Sequence, residues 1–358
     1  ADIGDLPVRD LRSLLISMLD FVKKSAGGQR FLERPEIVDD YAQWFRYRIT
    51  IGGTCPRSAI AMAKMGYRSR LHLVTNNEHI RRLLPVEAAG VFSGEGDSLY
   101  PHLIVQYARG IRIDAGDIHI VTDRANRIIY DNDPDNSLLK LNPAFFDDAE
   151  SIRVLLISGF NTMLNRDLLT SRLRQLSVLL DKLPGTARIF YEDAGFYDNC
   201  FPGIVQDALR RYIHVYSLNE DELMNYAGER IDLLNPSLVY GAVRRVMKKI
   251  RTPVMVVHTK YWALACGEEA ERYRPSLKGG IVMATARFRF GDAVSEEKYR
   301  LTATLAADPQ GASFRDGIEA LGNGRICCEP SLAAPETRVT AVGLGDAFVG
   351  GFIPALIE

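Results

Sequence analysis

The run Val342-Gly343-Leu344-Gly345-Asp346 places one carboxylate behind two glycines, in what reads as a strand-to-helix turn. Glycines there let backbone N–H groups converge with no Cβ in the way, and a helix start adds partial positive charge. Such a nest can hold an anion during transfer, and Asp346 beside it is placed to take a proton from an attacking hydroxyl. Gly343, Leu344, Gly345 and Asp346 therefore suit phosphoryl transfer, with Val342 leading into the turn. A dinucleotide fingerprint would need a third glycine where Phe348 stands, and no Gly-Lys-Ser/Thr phosphate loop occurs in the chain. An ordinary βα turn with an acidic residue near its cap remains open on this segment alone.

Further polar groups fall where apolar runs end. Tyr191-Glu192-Asp193 closes one run, Ser217-Leu-Asn219-Glu-Asp-Glu222 another, and His258-Thr259 a third. Carboxylates gathered at one sheet edge suit Mg²⁺, which takes one or two of them together with waters and substrate phosphates. Glu192 and Glu222 are the candidate ligands. Asn219 and Glu222, three apart, would share a face on a first helical turn, and they equally fit a helix N-cap and capping box. Glu192 and His258 each have a structural alternative as well.

These residues need a scaffold that brings the ends of its strands together. Buried-strand patterns are read at Val154–Ile157, Ala187–Glu192, Ile213–Tyr216, Val254–His258 and Val339–Val342, with helical patterns between them at Arg166–Lys182 and Pro236–Lys249. That alternation predicts a mostly parallel sheet covered on both faces, with ligands beyond the carboxyl ends of its strands. Before it, residues 11–24 have helical spacing, and Phe45–Ile51 alternates like a strand. Gly52-Gly53 and Thr54 then lead into a helix with Pro56 in its first turn. From His102 to Tyr130, short alternating strands split by turns predict a small antiparallel sheet with no helices of its own. The segments 267–278 and 308–335 read as irregular.

The chain has 358 residues, 47% hydrophobic, enough for a large core and a smaller appendage. Its 44 basic and 45 acidic residues leave a net charge of −1, which argues against nucleic acid as a partner. Five cysteines without Cys-x-x-Cys spacing argue against a zinc site or a disulfide framework. No apolar run is long enough to span a membrane and nothing reads as a signal peptide, so a cytoplasmic location is expected.

Taken in order, Gly52-Gly53, Ile157-Ser-Gly-Phe160, Glu192, Asn219-Glu-Asp-Glu222, Val257-His-Thr259 and Gly343-Leu-Gly-Asp346 resemble the ADP-dependent sugar kinases. These are the glucokinases and phosphofructokinases within the ribokinase-like superfamily. The likeness runs from about Ile51 onward, and Asn126-Arg127-Ile-Ile with Asp131 and Pro134 is similar to the family's lid. The resemblance implies a ribokinase-like three-layer α/β/α sandwich with a small β-rich lid. Residues 1–45 would form an N-terminal helical segment. The lid would come from part of 46–135, with 53–100 contributing to the large domain, and 136–358 would complete the large nucleotide-binding and catalytic domain.

The resemblance also implies roles. Asp346 would be the base, and the amides of Gly343 to Asp346 the anion hole. Glu192 and Glu222 would sit near Mg²⁺, with Asn219, His258, Thr259 and Val342 along the nucleotide. Gly52, Gly53 and Thr54 would meet the acceptor, and Arg127 would reach from the lid to a phosphate. The expected partners are ADP (or ATP) and a small sugar or sugar phosphate. Three departures stand out: Thr54 where the family has Asn, Phe190 in the His position of a His-x-Glu motif, and no Asn-x-Asp strand before the first helix. They leave room for a non-catalytic nucleotide- or sugar-binding homologue, and for a kinase of a non-sugar alcohol.

Overall fold

The helix Leu11–Lys23 starts where Asp10 and Ser13 form a reciprocal capping box, the Asp10 carboxylate accepting the Ser13 amide at 2.7 Å. Its buried stripe, Leu14, Met18 and Val22, packs with Tyr107, Ile120, Ile128 and Tyr130 in one core. The protein is described here by a computed structural model covering residues 6–94, 96–335 and 342–357. It divides into a small unit, Ala1–Thr50 with Gly96–Leu138, and a large unit, Ile51–Glu95 with Leu139–Glu358.

In the small unit, Asn126–Asp131 is the centre of a three-stranded sheet. It runs parallel to Gly28–Phe31 and antiparallel to Leu103–Tyr107, and Arg112–Ala115 and Ile118–Val121 form a separate hairpin. Within 102–130 the strands pair antiparallel with no helix among them, as read; what that reading left out is Gly28–Phe31, which joins the sheet in parallel from outside the block. Burying the apolar stripe of Leu11–Lys23 draws the N-terminal helix onto the sheet, and the Tyr130 hydroxyl donates to Ser17 Oγ at 2.9 Å. The strand read at Phe45–Ile51 is also absent: residues 45–50 form no regular element and stay exposed. Their alternation has the right period, but no partner strand accepts it.

The large unit is built on a six-stranded sheet. Its spatial order is Ile326–Pro330, Trp262–Gly267, Val254–His258, Val215–Asn219, Arg188–Glu192 and Val154–Ile157. The last four are mutually parallel, and Trp262–Gly267 runs antiparallel to both of its neighbours, Val254–His258 and Ile326–Pro330. Successive side chains feed two separate cores. Met255, Val257, Ile189, Tyr191, Tyr216 and Leu218 enter one, and Val254, Val256, Phe190 and Val215 the other. A sheet buried on both faces loses polar alternation, which explains its continuous apolar strands. The regions read as irregular hold the helix Pro309–Gly322, the whole strand Ile326–Pro330 and the start of the helix Arg274–Phe290. Small residues of the strands Trp262–Gly267 and Ile326–Pro330, such as Ala263, Ala265, Cys327 and Cys328, are fully enclosed yet carry weak strand patterning. The expected strand Val339–Val342 lies outside the described residues except for Val342.

A histidine ties the edge of this unit together. The Asn142 amide donates to His72 Nε2 at 2.9 Å, so that nitrogen must carry a lone pair, and the ring meets Phe145 edge-on. Burial lowers the His72 pKa below its ordinary value of 6.5. A folded-state pKa below the unfolded one gives stability that is present above the unfolded value and lost as pH falls through the folded one. His72→Gln is therefore expected to flatten the acid side of a melting-temperature profile below about pH 6.5. An unchanged profile would contradict this.

Candidate active site

Four structural devices meet at the carboxyl edge of the parallel strands. Glu192 ends its strand, Asn219 caps the helix Glu220–Ala227, His258 ends the next strand, and Gly343 caps the helix Leu344–Phe352. Gly343 has φ +70°, a left-handed conformation that suits glycine, and it lets the chain turn directly into the helix. Asp346 follows in the first turn. Its backbone carbonyl accepts the Ser58 hydroxyl at 2.9 Å, which docks this helix on the helix Thr54–Ala63.

The Asp346 carboxylate is held from that same neighbouring helix. The Thr54 hydroxyl hydrogen-bonds it, and Arg57 Nε lies 3.7 Å from Oδ2. Burial pushes its pKa up, Arg57 and Thr54 pull it back, Glu192 pushes it up again and Arg287 opposes; the net shift is upward. The side chain keeps 23% of its surface exposed, so it is lined by these groups and not sealed. Gly53, at φ +83°, caps the Thr54 helix and follows Gly52 with no side chain to obstruct the approach.

Beneath the turn lies a buried pair. His258 Nε2 is 2.9 Å from Glu192 Oε1, and the ring stacks on Phe348 with centroids 4.7 Å apart. A Cβ at Gly345 would lie 3.2 Å from His258 Cε1, so the missing side chain is what lets the turn settle on the ring. Burial opposes a charged imidazole, but the Glu192 charge and hydrogen bond outweigh it and raise the His258 pKa. Phe190, in the position expected for histidine, packs instead into the apolar core against Phe352. The histidine partner of Glu192 comes from the Val254–His258 strand, two strands away across Val215–Asn219.

Glu192 Oε2 and the Oγ of its cross-strand neighbour Ser217 are buried without a hydrogen-bond partner among the described residues. Next to them, Asn219 and Glu222 complete the capping box: the Asn219 amide donates to Glu222 Oε2 at 2.8 Å, and Asn219 Oδ1 accepts the Glu222 amide at 3.0 Å. Burial, with the charges of Asp193 and Glu192, lifts Glu222 to about 8. Asp193 accepts the hydroxyls of Tyr226 and Tyr216 at 2.6 and 2.7 Å, and burial raises it to about 6. A cluster of carboxylates pushed upward together is one that a cation would relieve.

Thr259, Val342 and Arg127 have surroundings of their own. Thr259 uses its hydroxyl in the turn to Trp262, donating to the Trp262 carbonyl and accepting two amides. The Val342 carbonyl accepts from Arg287 Nε at 2.9 Å. Arg127 lies exposed on a strand of the small unit. Sequence reasoning missed Arg57, although Thr54 and Arg57 sit three apart after Gly-Gly and so share one face of the helix start.

A family model, the ADP-specific phosphofructokinase/glucokinase conserved region, matches residues 6–352. The chain belongs to that family. As a member of the ADP-specific phosphofructokinase/glucokinase family it is an ADP-dependent sugar kinase. No curated protein matches the sequence. Among solved structures, a hypothetical ADP-dependent phosphofructokinase from Pyrococcus horikoshii superposes with a TM-score of 0.79 at 16% identity, covering 99% of this chain and 90% of that one. An ADP-dependent kinase in complex with fructose-6-phosphate and ADPβS gives 0.77 at 13%, covering 98% and 89%. A last common ancestor of the ADP-dependent phosphofructokinases of Methanosarcinales gives 0.74 at 14%, covering 99% and 86%. At these identities the likeness shows the fold alone, a mixed α/β architecture shared with those ADP-dependent kinases.

Proposed function

We propose that this chain moves the terminal phosphoryl group of ADP onto a hydroxyl of a small sugar or sugar phosphate, of the glucose or fructose 6-phosphate type. The observation that carries this reading is Asp346. It is a partly exposed carboxylate with a raised pKa, one helical turn inside a left-handed glycine cap and oriented by Thr54 and Arg57. Phosphoryl transfer asks mainly for positioning and charge stabilisation, and the site offers both. Asp346 takes the hydroxyl proton as the acceptor oxygen engages the phosphorus. The amides of Gly343 to Asp346 take the charge on the moving group, while Gly52 and Gly53 leave room for the acceptor beside Thr54. Asn219, His258 and Val342 border the nucleotide end, Thr259 shapes the adjoining turn, and Arg127 is assigned to an acceptor phosphate.

Mg²⁺ fits this residue set. Glu192 presents a buried unpartnered oxygen, and Glu222 is destabilised as a carboxylate beside it. Among the described residues no three His, Cys, Asp or Glu side chains converge as a closed metal cage. Glu192 and Glu222 would therefore share the ion with water and phosphate oxygens, as Mg²⁺ prefers. The ion would supply charge neutralisation across the phosphates. Glu222 holds the start of the Glu220–Ala227 helix in register, and His258 holds Glu192.

The test is an initial-rate assay with ADP and fructose 6-phosphate or glucose, run with Mg²⁺ and again with excess chelator. Turnover is expected with Mg²⁺ and should drop at least tenfold on chelation, while Glu222→Gln should raise the Mg²⁺ needed for half-maximal rate. Rates indifferent to chelator would remove the metal from the account. ADP binding with no product for any acceptor would favour a non-catalytic homologue.

A further inference from the structure

Asp193 is a carboxylate only 4% exposed, and the groups that hold it are neutral. Oδ1 accepts the Ala194 amide at 2.9 Å, while Oδ2 accepts the Tyr226 hydroxyl at 2.6 Å and the Tyr216 hydroxyl at 2.7 Å. Gln206 Nε2, on the helix Phe201–Leu209, donates in turn to both phenol oxygens at 3.1 Å. The fork is closed: two amide hydrogens serve two phenols, and two phenol hydrogens serve one carboxylate oxygen.

The placement of this fork says what it is for. Asp193 is the chain neighbour of Glu192, and its amide donates to the Ser217 carbonyl at 2.9 Å, which carries the ladder one residue past the strand. Successive residues of extended chain face opposite sides of a sheet. Glu192 meets His258, and Asp193, facing the other way, meets Tyr216. Tyr226 comes one turn after Glu222 on the same face of the helix Glu220–Ala227. Its hydroxyl is therefore a strut from the chain beside Glu192 to the helix that carries Glu222. Tyr216 braces the same oxygen from the strand Val215–Asn219, which carries neither acid. A carboxylate enclosed without a counter-charge is costly where packing alone is needed. What it provides here is a fixed, directional link between the two acids.

We propose that Asp193 and Tyr226 are positioning residues for the divalent ion, their hydrogen bond setting the separation of Glu192 and Glu222. This rests on the phosphoryl-transfer and Mg²⁺ reading above. Partners of this kind act by holding ligand carboxylates in the orientation the ion needs, without touching it.

The experiment compares Tyr226→Phe and Tyr216→Phe with the wild type, in the full chain with saturating ADP. Protein-bound Mn²⁺ is followed by electron paramagnetic resonance, the Mg²⁺ dependence of kcat is measured beside it, and melting curves report folding. Both variants keep the ring and remove one hydroxyl from the same carboxylate oxygen. Tyr226→Phe is expected to weaken Mn²⁺ binding about 10–100-fold and to raise the Mg²⁺ needed for half-maximal rate in step, the usual effect of losing an outer partner. At saturating Mg²⁺ its kcat should return close to the wild-type value. Tyr216→Phe keeps the strut, so its Mn²⁺ affinity should stay within about 3-fold of wild type, well short of that range. Wild-type Mn²⁺ affinity in Tyr226→Phe, or an equal loss in both variants, would overturn this inference alone. A wild-type protein that binds no Mn²⁺ with ADP, and turns over in excess chelator, would bring down the metal reading and this inference with it.

Discussion

Replacing Asp346 by Asn is expected to reduce kcat by about 10²–10⁴-fold, the usual contribution of a positioned general base. The change keeps the shape of the side chain, and the amide can still accept from the Thr54 hydroxyl. What disappears is the proposed acceptor of the hydroxyl proton. Affinity for ADP should stay near wild type, because the turn amides and the carboxyl edge of the sheet are untouched. The helix Leu344–Phe352 should stay docked as well, since Ser58 binds the Asp346 backbone carbonyl and not the carboxylate. The wild-type pH profile offers a companion reading. In the proposed mechanism the deprotonated acid is the active form, and burial raises its pKa above the ordinary 3.8. Activity should accordingly fail on the acid side at a higher pH than an ordinary aspartate would set, and that limb should vanish from the residual activity of the variant. Wild-type turnover in Asp346→Asn would remove the base from the mechanism.

The second large effect concerns the helix that carries Asp346. It crosses the helix Arg274–Phe290 with glycine against glycine. A Cβ on Gly351 would lie 2.3 Å from the Gly279 carbonyl oxygen and 2.6 Å from Met283 Cβ, and one on Gly279 would lie 2.4 Å from the Gly351 carbonyl oxygen. Backbone atoms cannot rotate away as a side-chain tip can, so the two helices must separate. Gly351→Ala is expected to cost about 1–3 kcal/mol, the usual range for overpacking. Turnover should fall too, because any shift moves Asp346 relative to Thr54 and Arg57 on a third helix. Gly203→Ala is the control. Gly203 sits exposed in the helix Phe201–Leu209 with no atom within 4 Å of an added Cβ, and alanine there should be neutral or stabilising by up to about 1 kcal/mol. Equal melting temperatures for the two variants would contradict the close-packed crossing.

The contrast between residues found in the sequence and those missed has a physical cause. Strands Val154–Ile157 and Val254–His258 were legible to the residue because β-branched and aliphatic runs bounded by polar residues carry their own signal. Placing those runs in one parallel sheet then put Glu192, Asn219 and His258 at a common edge, from the alternation of elements alone. Arg57 was invisible because its meaning depends on Asp346, far along the chain. The His258–Glu192 pair was likewise hidden, since it forms between strands whose neighbour Val215–Asn219 lies between them in the sheet. Trp262–Gly267 failed for another reason: alanine, cysteine and glycine fill an enclosed strand without announcing one. The association of Gly28–Phe31 with Asn126–Asp131 is non-local, and local periodicity does not encode it.

The central claim is that the Gly343–Asp346 turn moves the terminal phosphoryl group of ADP to a sugar hydroxyl. The most direct measurement follows label from ADP carrying a radioactive terminal phosphate, offered with Mg²⁺ to fructose 6-phosphate, to glucose and to water alone, for the wild type and Asp346→Asn. The account predicts label in one phosphosugar with AMP formed in equal amount, little release to water, and none of this in the variant. Label passing to the sugar at the same rate in both proteins, or only to water, would contradict it.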